Sequence, residues 1–147
     1  MYLIYYTVQI IVYRPFTTRP SDFYSGQNLH HTDPFSLAAK ALRVSTAAAR
    51  SIVRVIKAQK TAGIVATAAE FYASYYAAGQ LLLRIWELKA QKKAQKQDED
   101  SFLVHLVGDL QNGSLTKEMD ELVADVHSVM DLYEVAQARW EFVRPIL

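Results

Sequence analysis

The chain has 147 residues and a mass of 16.7 kDa, with 16 Lys or Arg against 15 Asp or Glu. That length fits one domain with one core, and a net charge of +1 supplies no global attraction to nucleic acid or anionic lipid. Hydrophobic residues make up 51% and charged residues 21%, which is outside the range of disordered chains. Cysteine is absent, so disulfides, a thiolate nucleophile and every zinc site built on cysteine are excluded.

The first predicted helix covers residues 3–13 and is apolar nearly all round. Its run closes at Arg14-Pro15, well short of the roughly 20 apolar residues a membrane span needs, and it lacks the basic start and small-residue cleavage site of a secretory signal. Proline disfavours helical geometry in the residue before it, so the helix is expected to stop there. A helix with no polar side has nowhere to meet water, which predicts a place in the middle of the bundle.

Residues 16–32 read as a long loop containing Pro20 and Gly26. Asp33 as N-cap and Pro34 at the first helical position then start a second helix over residues 34–59. At 100° per residue, Ala38, Ala41, Leu42, Ala48, Ala49, Ile52, Val55 and Ile56 gather on one side. Lys40, Arg43, Arg50, Arg54 and Lys57 gather on the other, which predicts a packed face and a solvated basic face.

Thr61-Ala62-Gly63 breaks the chain before a third helix over residues 64–96. Its small residues Ala66, Ala69, Ala73, Ala77 and Gly79 allow close helix contact, and Tyr72, Tyr75, Tyr76 and Trp86 are expected to pack between them against the first helix. The string KAQKKAQKQDED predicts a frayed end or linker over residues 89–100. A short helix over residues 100–110 is expected to end at Asn112-Gly113, and Ser114 to cap the next. Leu115, Met119, Leu122, Val123, Val126 and Met130 recur there at helical spacing, and a last helix over residues 133–143 follows a bend near Asp131. The fold expected is all-α, an irregular bundle of five to six helices.

Chemistry-bearing residues are sparse. His30, His31 and Asp33 lie together, but adjacent histidines lack the spacing of a metal site. His105 and His127 have no carboxylate or nucleophile partner at a motif spacing. The five glycines are scattered at positions 26, 63, 79, 108 and 113, so no phosphate-binding loop or nucleophile elbow is present. Catalytic, cofactor and metal residues are therefore expected to be absent, and the chain is read as no enzyme. A site assembled from Glu70, Tyr72 and His105 is the enzymatic rival. The stripe of Lys89, Lys92, Lys93 and Lys96 is read as a solvated face, since no aromatics interleave with it to stack on bases.

Against this background the string LIYYTVQIIVYRPF, closed by Tyr13-Arg14-Pro15-Phe16, resembles the leucine- and aromatic-rich helix ending in Arg-Pro-Phe in the middle homology region of fungal binuclear zinc cluster transcription factors. An alanine-containing helix follows it, as Ala47-Ala48-Ala49-Arg50-Ser51-Ile52 does here, and then an aromatic and alanine-rich helix like residues 71–83. The family's tryptophan, two residues and alanine are similar to Tyr133 through Ala136, with tyrosine in place of tryptophan. The resemblance covers nearly all of this chain and about the back half of the family's region.

It implies a regulatory role in the nucleus, in which the domain restrains or transmits activation. The implied partners are the rest of the factor, protein co-regulators and a small-molecule effector. Zinc belongs to the family's six-cysteine DNA-binding module, which has no counterpart among these residues, so DNA would be met only through that missing module and no cofactor is implied for this chain. On this reading residues 1–147 are the C-terminal part of the regulatory domain, an incomplete domain that should expose a sizeable apolar patch. The rival from another class is a helical interaction scaffold, peripheral to membranes through the basic face of the second helix but without stable insertion.

Overall fold

The computed structural model describes residues 2–17, 37–64, 66–97 and 104–143. The described residues form four α-helices: α1 (Tyr2–Thr17), α2 (Leu37–Thr61), α3 (Ala68–Gln97) and α4 (Val104–Val143). The all-α expectation holds, and among the described residues there are four helices rather than the five to six expected. The Asp33-Pro34 start signal and the adjacent histidines lie outside the described residues.

Two of the predicted breaks are absent. The helix α4 runs unbroken through Asn112-Gly113 and through Asp131. Glycine inside a helix is destabilising by only about 1 kcal/mol relative to alanine. Leu115, Met119, Leu122, Val126 and Val129 before the expected bend near Asp131, and Leu132 after it, pack on or into the core at helical spacing, and that burial outweighs a bend there. Pro15 also falls inside its helix. It lacks the amide that would bond the Ile11 carbonyl, but Ile11 is exposed, so water can take that carbonyl, and α1 ends two residues later.

A real break falls where the sequence places it. Gly63 has φ of +69°, its N–H bonds the Lys60 carbonyl at 3.1 Å, and the Ile64 N–H bonds the Gln59 carbonyl at 3.0 Å. This pair of bonds is the Schellman end of α2. The next helix starts at Ala68 rather than residue 64, where Glu70 caps the first turn: its carboxylate accepts the Thr67 N–H at 2.7 Å, while the Glu70 N–H bonds the Thr67 backbone carbonyl at 3.0 Å.

The helices α2 and α3 form the central pair. Both α1 and α4 pack against each of them, with the α1–α2 contact the most extensive. One apolar cluster joins all four helices, with Ile10 from α1, Ile52, Val53 and Ile56 from α2, Ala73, Ala77, Leu81 and Leu88 from α3, and Leu122 and Val129 from α4. The predicted apolar face of the second helix is the buried one, with Ser45 and Val53 added to it and Val55 half-buried. Ser45 satisfies its hydroxyl inside the core by donating to the Ala41 carbonyl at 2.8 Å.

The expected central position of α1 is not found. Only Thr7 and Ile10 are buried, while Ile4, Tyr5, Val8, Ile11 and Val12 face outward. A helix seated in the groove between two others buries one stripe, whatever its composition. Of the aromatic residues expected to wedge against α1, Tyr76 is half-buried against the core, but Tyr72, Tyr75 and Trp86 are exposed, because Ala73, Ala77, Leu81, Ile85 and Leu88 define the buried row of α3 and these three lie off it.

The two glycines at the expected breaks therefore predict opposite effects. Gly63→Ala forces a Cβ into left-handed geometry and should lower stability by about 1–2 kcal/mol. Gly113→Ala meets open space within α4 and should raise stability by up to about 1 kcal/mol, roughly 3 °C in thermal melts. A destabilising Gly113→Ala would mean that the helix is broken there.

Candidate functional site

Three features outside the core carry chemistry: an ionic seam, a cavity and an apolar outer surface. The seam joins α2 to α4. Arg50 pairs with Glu121 and with Asp125 at 3.3 Å, Lys57 pairs with Asp125 at 2.8 Å, and Lys60 with Asp131 at 3.1 Å. Rising residue numbers match on both sides, so the two helices run parallel. The hydrogen bond that Arg50 donates to Glu121 holds the Arg50 guanidinium above its ordinary value against the opposing effect of partial burial, with Asp125 acting in the same direction as Glu121.

This arrangement corrects the reading of the basic face as merely solvated. Arg50 and Lys57 serve α4, while Lys40 and Arg54 remain exposed. The partner carboxylates come from Glu121 and Asp125, 71 and 75 positions from Arg50 along the chain, so no local pattern announced them. On the other side Arg84 bonds both Glu87 at 3.0 Å and Glu118 at 3.1 Å, and Lys92 donates to Thr116 at 3.2 Å. Farther along, Tyr133 donates to the Phe71 carbonyl at 2.9 Å and accepts from Ser74 at 3.0 Å. The helices α3 and α4 therefore run antiparallel.

A cavity of about 420 Å³ opens where the end of α2, the start of α3 and residues 131–136 of α4 meet. Ile56, Phe71, Leu132 and Val135 give it an apolar lining, and Lys60 and Asp131, already paired with each other, line it together with Glu70, which accepts the Thr67 N–H. Gln59 also lines it, but the side-chain oxygen of Gln59 is buried without a donor and so is closed to a ligand in this conformation.

The two residues of the enzymatic rival whose side chains are described, Glu70 and Tyr72, do not share an environment. Glu70 is buried and engaged as the cap of α3, whereas Tyr72 is exposed, and its hydrogen bond to Tyr76 raises the Tyr72 phenol above its ordinary value. The side chain of His105 lies outside the described residues, and His127 is exposed on α4. Among the described residues, no three His, Asp or Glu side chains gather as a metal site would require. Also among the described residues, no helix is long and apolar enough to cross a membrane.

The outer surface is the most unusual of the three features. One tract lies on α1, comprising Ile4, Tyr5, Val8, Ile11, Val12 and Phe16, and another on α3, comprising Tyr72, Tyr75, Leu82 and Trp86. Scattered exposed apolar residues need no explanation, but contiguous ones of this extent mark interaction surfaces. Residues 2–13 and 71–83 contain no charged side chain at all. No family model, no curated protein and no solved structure matches the chain.

The seam makes a direct prediction. Asp125, whose side chain is only 16% exposed, binds two cations at once. Asp125→Ala should therefore destabilise the protein by about 1 kcal/mol or slightly more. Asp131→Ala breaks a pair more than half exposed on both sides and should cost less than about 0.5 kcal/mol. Urea melts of the two variants check the order, and equal effects would contradict it.

Proposed function

We propose that the chain is a helical regulatory domain that acts by docking a protein partner on the exposed outer face of α1. The observation that carries this reading is the uncharged apolar tract of Ile4, Tyr5, Val8 and Val12, which the bundle leaves uncovered. The spacing of these residues suits an amphipathic helix of the partner, laid along α1 as a third ridge beside those of α2 and α3.

The biological setting comes from the sequence resemblance alone. Tyr13-Arg14-Pro15-Phe16 and the order of segments after it are similar to the regulatory region of fungal zinc cluster transcription factors, which makes the partner a co-regulator or another part of such a factor, in the nucleus. DNA contact through a zinc cluster is outside these residues, since they contain no cysteine. The exposed apolar patch expected of that family region is present on α1, which supports the reading without identifying the family. The membrane-peripheral alternative loses part of its basis, because Arg50 and Lys57 of the basic face are engaged with carboxylates of α4.

A tethered reporter tests this function. Fused to an unrelated DNA-binding domain in a fungal cell, the chain should change reporter output several-fold, and Val8→Glu with Val12→Glu should abolish the change. Both positions are half exposed or more, so the double variant should shift the stability of the purified chain by no more than about 1 kcal/mol. A reporter unaffected by the tethered chain contradicts the regulatory reading, and full activity of a well-folded double variant contradicts the assignment to α1.

A further inference from the structure

The outer stripe of α3 has a glycine at its middle, which the tract on α1 lacks. Tyr72, Tyr75, Gly79, Leu82 and Trp86 are spaced 3, 4, 3 and 4 residues apart, the repeat that keeps one seam facing a neighbouring helix. All five are exposed. Within the bundle α3 touches α1, α2 and α4 through other rows of its surface, where Ala73, Ala77, Leu81, Ile85 and Leu88 are buried.

We infer that the stripe is a self-association surface, on which α3 of a second copy of this chain crosses at Gly79. This assignment rests on the reading of the outer surface as a docking face, and it names the occupant of the α3 part. Three observations select a second copy over an unrelated partner. The first is shape: a residue without a side chain sits at the middle, with two bulky residues before it and two after it. In either two-fold orientation glycine meets glycine, and the bulky residues close around the crossing, which is the self-complementarity an isologous contact needs.

The second is space, since a Cβ placed on Gly79 meets nothing within 4 Å inside its own chain. The glycine is therefore not required by packing within the bundle, where alanine would be the better helix former. It leaves the helix surface open to close approach from outside. The third is charge. A two-fold axis sets any charge near it against its own copy, and residues 71–83 carry none.

The area defines the strength. Tyr72, Tyr75, Leu82 and Trp86 are 57%, 67%, 53% and 47% exposed, and aromatic side chains offer about 150–250 Å² each. The stripe thus presents on the order of 400 Å² per chain, about half the roughly 800 Å² per partner of a standard interface. Half-buried Tyr76 and Leu83 flank it and add to the contact once the helices approach at glycine. The contact belongs to the weak, reversible class, with monomer and dimer exchanging at micromolar concentration.

Sedimentation velocity of the whole chain over a concentration series tests this. The expected result is a reversible species of twice the 16.7 kDa chain mass. Leu82→Glu and Gly79→Leu should each weaken association roughly tenfold or more, with unchanged circular dichroism. Gly79→Ala separates association from folding: it should raise the unfolding temperature of the dilute monomer while weakening the dimer. Arg54→Glu, at an exposed position on α2, should leave association unchanged. A chain that stays monomeric at its highest soluble concentration overturns the inference. An oligomer that survives both Leu82→Glu and Gly79→Leu overturns it too, since another face would then be responsible. A monomer that still acts in the tethered reporter removes the dimer and leaves the α1 docking reading standing.

Discussion

The structure depends on a single shared core with more apolar surface around it than it can hold. Ile52, Val53 and Ile56 of α2 and Ala73, Ala77 and Leu81 of α3 sit in one cluster with residues from both flanking helices. Full burial of an isoleucine or valine contributes about 1.5–3 kcal/mol, so this cluster holds the central pair together and offers each flanking helix one stripe to occupy. Since α1 has apolar residues on every side, filling one stripe leaves the others in water. The alanines of α3 strengthen the effect, because small buried side chains bring helices close and leave little room for the aromatics beside them.

The polar interactions then decide orientation more than stability. The pairs from Arg50, Lys57 and Lys60 to Glu121, Asp125 and Asp131 fix α4 parallel to α2 and set its register. Partly exposed pairs of this kind are worth about 1 kcal/mol or less each. An apolar stripe alone tolerates sliding, so charges at fixed spacing add specificity that the core lacks. At the far end Tyr133, bonded to the Phe71 carbonyl and Ser74, holds α4 against α3 beside the cavity.

What the sequence made legible follows its periodicity. The buried face of α2 was readable because Ala41, Leu42, Ala48, Ala49, Ile52 and Ile56 separate cleanly from the cations, and the end of that helix was readable because Gly63 takes a conformation that other residues avoid. Asn112-Gly113 misled because a glycine inside a helix costs only about 1 kcal/mol relative to alanine, too little to end a helix by itself. For α1 the composition could not say which stripe is buried, since all sides are apolar, and an all-apolar helix suggested a central place that the bundle gives to α2 and α3. The cap that Glu70 places on the Thr67 N–H was visible in principle, as Thr-x-x-Glu before a helical run, and it places the start of α3 correctly. The cation partners of α4 were not visible, since they pair across some 70 residues. The outer stripe of α3 was hidden by an assumption: aromatic residues at helical spacing were read as core, although their 3-4-3-4 spacing runs off the buried row.

The central claim is that a single chain leaves Tyr72, Tyr75, Leu82 and Trp86 in contact with water. Hydroxyl-radical footprinting with residue-level mass spectrometry across a dilution series measures this directly, with buried Leu81 and Leu88 of the same helix as internal references. Strong modification of the four stripe residues is expected in dilute solution, with progressive protection as concentration rises and with Leu81 and Leu88 protected throughout. Protection of the stripe already at the lowest concentration, equal to that of Leu81, would contradict the claim.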